Sequence, residues 1–135
     1  MPARIRDKVV QLDVATPARF LMLAAFLSVL HSFLEEYYWR WFVFDRLRDL
    51  LPGWLAIVIS SLAFMSHHVI VLDAYLPGSF WQATVPFSLC IAVGGAFWAW
   101  LFARSGSLLG PWLGHLLVDA AIMAVGYQML FAAQR

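Results

Sequence analysis

Four apolar stretches, 20–44, 54–72, 85–103 and 108–131, occupy most of this 135-residue chain. Each is long enough to cross a bilayer at about 20 residues per helical crossing. In lipid every backbone N–H and C=O must be paired within the protein, so open strand edges fail and such stretches form helices. The expected fold class is therefore all-α, a polytopic membrane protein with about four transmembrane helices in one bundle. The separators agree with that division. Thr16 and Pro17 open the first stretch as cap and first-turn residues, and the polar run 45–49 followed by Pro52 and Gly53 closes it. Asp73, Pro77, Gly78 and Ser79 close the second, and Arg104, Ser105, Gly106 and Ser107 separate the third from the fourth. Residues 1–16 read as a polar basic N-terminal segment and 17–135 as one four-helix domain. The first stretch leads into Glu35 and Glu36 rather than a small-residue cleavage site, so it is expected to stay as a helix. Arg4, Arg6, Lys8, Arg19 and Arg135 on one face, against Arg46, Arg48 and Arg104 on the other, tilt the orientation toward a cytoplasmic N-terminus.

Charge narrows the function classes. Only 13% of residues are charged and 63% are hydrophobic, with a mean hydropathy of +0.78. Soluble domains carry about a quarter charged residues. Nine Lys and Arg against eight Asp and Glu leave no basic excess, so no nucleic-acid partner is expected. The partner that composition implies is membrane lipid. A single cysteine, Cys90, allows no intrachain disulfide.

Several ionisable side chains nevertheless fall inside the apolar stretches, where each costs at least about 2.5 kcal/mol on insertion scales. Glu36 and Arg40 are four apart and share a helix face, so an ion pair lowers the cost of both. Glu35 lies beside them, turned about 100° around the helix. His68 sits on the second stretch, and His115 and Asp119 are four apart on the fourth. Counted at about 1.5 Å per residue, Glu35, His68, His115 and Asp119 lie roughly 12–22 Å into the membrane, close enough in depth to share one polar cavity. The third stretch carries no charge, and its Gly94 and Gly95 suit close helix packing.

A glutamate beside a neutral histidine can take a proton from a water, and a second histidine can donate to the oxyanion of a tetrahedral intermediate. These are the parts that amide hydrolysis by an activated water requires. No G-x-S-x-G elbow and no H-E-x-x-H motif is present. No cofactor is required by this chemistry, although Glu35, His68, His115 and Asp119 are the residue types that hold a divalent metal such as zinc.

The residues also resemble a known family. Glu35-Glu36-Tyr37-Tyr38-Trp39-Arg40 is similar to the E-E-x-x-x-R motif of the CPBP intramembrane proteases, which include the CAAX proteases and bacteriocin-processing enzymes and are also called the Abi family. Phe64-Met65-Ser66-His67-His68 is similar to its F-x-x-x-H motif, and His115-Leu116-Leu117-Val118-Asp119 to its H-x-x-x-N/D motif. The resemblance implies an intramembrane endopeptidase, glutamic-type or metal-dependent, acting on a membrane-associated protein or peptide substrate, with the prokaryotic plasma membrane as the expected location. Glu35 would then be the general base, His68 would help hold the water, Glu36 and Arg40 would form a supporting ion pair, and His115 with Asp119 would stabilise the oxyanion. Position 119 is Asp where many members have Asn, and an ionised Asp accepts hydrogen bonds without donating one.

Blander explanations stand beside these. Glu36 with Arg40 reads equally as a packing pair. His67, about 100° around the helix from His68, is expected to point off the catalytic face, and His31, four before Glu35, is expected to pack. Trp39, Trp41, Trp54, Trp98, Trp100 and Trp112 read as interfacial anchors or packing residues. From other classes, His31, His68 and His115 would serve a haem-binding electron carrier, which leaves Glu35, Glu36 and Arg40 unexplained. An inactive membrane scaffold that keeps the motifs is the third reading.

Overall fold

The four long apolar stretches are answered by four helices in the computed structural model, which describes residue 7 and residues 9–132. They are α1 (Pro17–Leu50), α2 (Gly53–Tyr75), α3 (Phe80–Ser105) and α4 (Leu109–Phe131), each long and apolar enough to cross a membrane, and no strand occurs among the described residues. Arg4, Arg6, Lys8 and Arg135, which carried most of the orientation argument, lie outside the described residues.

The helices overrun the apolar stretches for local reasons. Past the apolar part of α1, Asp45 pairs with Arg48 and Arg46 with Asp49 at 3.6 Å. These pairs lie one turn apart along the helix, so the polar run extends it. The helix stops only where Leu51, ahead of Pro52, turns extended at φ −133°. Thr16 caps the other end by accepting from the Arg19 N–H at 3.4 Å, as the sequence indicates. Pro86 has no N–H and would crowd the carbonyl four residues before it in an ordinary helix; the wider π-helical turn Phe80–Thr84 precedes it in α3. Gly106, at φ +65°, takes the left-handed position that ends α3.

Helix α1 is not uniform. Segments Phe26–His31 and Tyr37–Phe44 are π-helical and bracket the α-helical turn Ser32–Glu36. The Asp45 N–H accordingly reaches back five residues to the Arg40 carbonyl. Such wide turns in helices concentrate at functional sites, and here they flank both glutamates.

Side chains are distributed as a lipid solvent dictates. Glu36, Arg40, Ser32, Ser60, Thr84 and His115 are buried, while Met22, Ile70, Trp81, Val93 and Leu117 are exposed. Three buried serines bond within their own helices: the Ser32 hydroxyl donates to the Ser28 carbonyl, and those of Ser60 and Ser61 donate to the Ile57 carbonyl.

Contacts divide the chain into two units, residues 35–111 and residues 1–34 with 112–135. In the first, Phe44, Ala56, Ala99 and Phe102 form an apolar core edged by Leu47, Ile57 and Leu108. Small residues let the backbones approach: a Cβ on Gly95 would stand 3.0 Å from Phe64 Cδ1 and 3.7 Å from an Arg40 Nη. Gly94 has no such role, because its added Cβ would meet only Trp98, at an ordinary 3.8 Å. In the other unit Phe20 packs against Tyr127 and Phe131, with ring centroids 6.1 and 5.8 Å away. Trp112 packs edge-on to Phe33 and donates its indole N–H to the Val29 carbonyl at 3.0 Å.

Candidate active site

Glu36 and Arg40 form the ion pair their spacing predicts. Arg40 Nε lies 2.9 Å from Glu36 Oε2, and both side chains are fully buried. The pair is held in an aromatic setting. The guanidinium lies over the Phe64 ring at 4.6 Å and near the Trp98 ring at 5.7 Å. Its charge therefore faces two π-systems as well as a carboxylate. Gly95 of α3 completes the wall, since an added Cβ would stand only 3.0 Å from the Phe64 ring that lies under the Arg40 head. Among the described residues neither Nη of Arg40 has a hydrogen-bond partner, and the charge is met by Glu36, by the neighbouring Glu35 and by the rings.

Glu35, one residue earlier, faces a different partner. Its Oε1 lies 3.1 Å from His67 Nε2, and because a carboxylate accepts, the imidazole Nε2–H donates. The Glu35 side chain is only 13% exposed against 37% for His67, so the carboxylate lies deeper than the ring that holds it. His67 is stacked on Trp39, with centroids 5.4 Å apart and planes within 3° of parallel, and meets Phe64 edge-on at 5.5 Å.

Here the structure departs from the sequence expectation. His67 does not point away from Glu35; Trp39, in the packing role that the sequence allowed, stacks on it. An offset of about 100° relates two side chains on one helix but does not say where the neighbouring helix lies. The two imidazoles, with centroids 4.0 Å apart, lean over the same region. The adjacent His-His pair opposite a glutamate-bearing helix was the available signal for His67.

His68 is fixed differently. Its Nδ1–H donates to the Phe64 carbonyl at 3.0 Å, which assigns the proton to Nδ1 and leaves Nε2 as the basic nitrogen. Glu35, His67 and His68 each offer one ligand atom within 4.8 Å of the others. This two-histidine, one-carboxylate donor set suits a zinc-like ion, and the Phe64 carbonyl would be the outer partner orienting His68. Within unit 35–111, His67 thus joins Glu35 and His68 in a metal-capable cluster.

His115 and Asp119 belong to the other unit. There His115 Nε2 lies 3.7 Å from Asp119 Oδ1, with side-chain exposures of 6% and 21%. That separation is within electrostatic range and beyond a direct hydrogen bond between these two atoms. The helical spacing of the pair is therefore seen, with the histidine the more buried member.

A protein-family model described as type II CAAX prenyl endopeptidase Rce1-like matches residues 17–121, a range that contains every motif residue named above. No curated protein and no solved structure matches the chain.

Proposed function

Since the chain belongs to the Rce1-like family of type II CAAX prenyl endopeptidases, a family of membrane peptidases, we propose that it is an intramembrane endopeptidase that hydrolyses a peptide bond of a membrane-associated substrate with a water activated by Glu35. The observation that carries this reading is the Glu35 carboxylate, mostly buried in a membrane helix and set within reach of two histidines. A carboxylate and two histidines grouped in this way have the parts of a general base that takes a proton from water during hydrolysis.

In the proposed reaction Glu35 removes a proton from a water as its oxygen bonds to the scissile carbonyl carbon. His68, with Nε2 as its basic nitrogen, accepts a hydrogen bond from that water and helps to place it. The carbonyl oxygen becomes an oxyanion, the charge that the motif resemblance gives to His115 and Asp119 to stabilise. Collapse breaks the C–N bond, and Glu35 returns its proton to the leaving amine nitrogen. Glu36 and Arg40 keep the helix turn that presents Glu35 in place. A divalent metal held by Glu35, His67 and His68 would polarise the water instead, with the same bond made and broken.

The family is described as CAAX prenyl endopeptidases, so a prenylated CAAX peptide is the first substrate to try. The setting proposed for the reaction is a prokaryotic plasma membrane, with a lipid-borne peptide as partner. The haem-carrier reading gains nothing from a match to a peptidase family, and it still leaves the two glutamates without a role.

The test compares protein termini in membranes of cells carrying the wild-type chain or Glu35→Gln, followed by cleavage of a prenylated CAAX peptide in proteoliposomes. Termini that vanish in the variant, with the protein present at normal level, identify substrate and cut together. Identical termini in both strains would refute the hydrolase reading and leave the scaffold reading.

A further inference from the structure

Resting on Glu35 as the base, we propose that His67, which is no part of the family motifs, is a positioning residue that aims the Glu35 carboxylate by donating its Nε2–H to Oε1.

A glutamate side chain has three rotatable bonds, and hydrolysis demands one orientation of its carboxylate relative to water and substrate. Something must select that orientation. The 3.1 Å contact from His67 fixes one oxygen and hence the plane of the group. A donor is useful as a clamp only if it is itself immobile, and His67 is held on two sides. Trp39 lies flat against it at 5.4 Å and Phe64 meets it edge-on at 5.5 Å.

The topology makes this a tie between helices. Glu35 and Trp39 are four apart on α1, so the helix that bears the base also bears the platform for its clamp. His67 and Phe64 come from α2. The two histidines thereby divide the work by tautomer: His67 presents an N–H to the carboxylate, whereas His68, with Nδ1 engaged by the Phe64 carbonyl, keeps a lone pair on Nε2.

Three substitutions separate donation, stacking and the underlying reading. His67→Phe keeps a ring for Trp39 and removes the donor. His67→Gln keeps a donor, because the amide nitrogen is the same number of bonds from Cα as the imidazole Nε2. Glu35→Gln tests the base itself. The assay uses the full chain in proteoliposomes, with a peptide spanning a cut that depends on Glu35 in cells, and unfolding of each variant is followed alongside.

His67→Phe is expected to lower kcat by about tenfold to a hundredfold, the scale of a misaligned reacting group, with KM changed by less than about twofold. His67→Gln is expected to recover most of that loss, with unfolding unchanged in both. Wild-type kcat in His67→Phe, or equal loss in Phe and Gln, would overturn the positioning role while Glu35→Gln remained inactive. Turnover by Glu35→Gln, or no Glu35-dependent cut at all, would instead bring down the base on which the inference rests. Stoichiometric zinc that is lost in His67→Phe, together with activity abolished by chelation, would make His67 a metal ligand and overturn it too.

Discussion

Replacing Arg40 by Met removes the positive member of a fully buried ion pair while keeping most of its stem. At a separation of 2.9 Å the Coulomb attraction is about 6 kcal/mol for an effective dielectric constant of about 20. That attraction offsets the cost of taking two ions out of water, which is several kcal/mol for each. Removing one partner therefore strands the other, and Arg40→Met is expected to destabilise the protein by about 3–5 kcal/mol. The lost contacts of the guanidinium with Phe64 and Trp98 act in the same direction. Removing both charges is different. Glu36→Leu combined with Arg40→Met leaves no buried charge, and such replacements range from neutral to about 1–4 kcal/mol stabilising. Reversible unfolding in mixed micelles, followed by tryptophan fluorescence, measures both, and membrane abundance gives an independent reading. Unfolding of Arg40→Met at the wild-type midpoint, or a double variant as unstable as the single one, would refute the argument that Glu36 and Arg40 exist chiefly to neutralise each other.

Other expectations can be checked in the same preparations. Glu35→Gln keeps volume and removes the base, so turnover should vanish while unfolding stays at the wild-type midpoint; activity assays beside fluorescence melts decide it. Gly95→Leu drives side-chain atoms into Phe64 and the Arg40 head and should cost about 1–3 kcal/mol or more, seen as a lowered unfolding midpoint. Gly106→Ala forces a Cβ into the left-handed region, at a φ of +65°. It should cost about 1 kcal/mol on the same assay. Trp112→Phe deletes the indole donor to the Val29 carbonyl and should cost about 1 kcal/mol. Exhaustive chelation is expected to leave turnover largely intact, since Glu35 and His68 suffice to hold a water; loss that zinc restores would transfer that role to a metal on Glu35, His67 and His68.

Much of this molecule can be read from residues in order. A stretch of about 20 apolar residues has one outcome in lipid, because its backbone must bond to itself, and the four helices follow. Spacing of four along a helix likewise implies the Glu36 and Arg40 pair and the proximity of His115 to Asp119, since these are relations within a single element. Helix ends were less legible. Salt bridges one turn apart carried α1 to Leu50, well beyond the last apolar residue of its stretch.

Tertiary structure decided what lies between elements. Whether His67 or His68 meets Glu35 depends on the rotation of α2 about its axis, which its own sequence leaves open because lipid accepts most of its apolar surfaces equally. The π-helical turns on either side of Ser32–Glu36 alter the regular angular step on which a helical projection rests. The parallel stack of Trp39 on His67, the Gly95 gap filled by Phe64 and Arg40, and the clamp on the Glu35 carboxylate all arise from one helix placed against another. Periodicity along a chain specifies which groups share a helix, and only packing selects the partner each one finds.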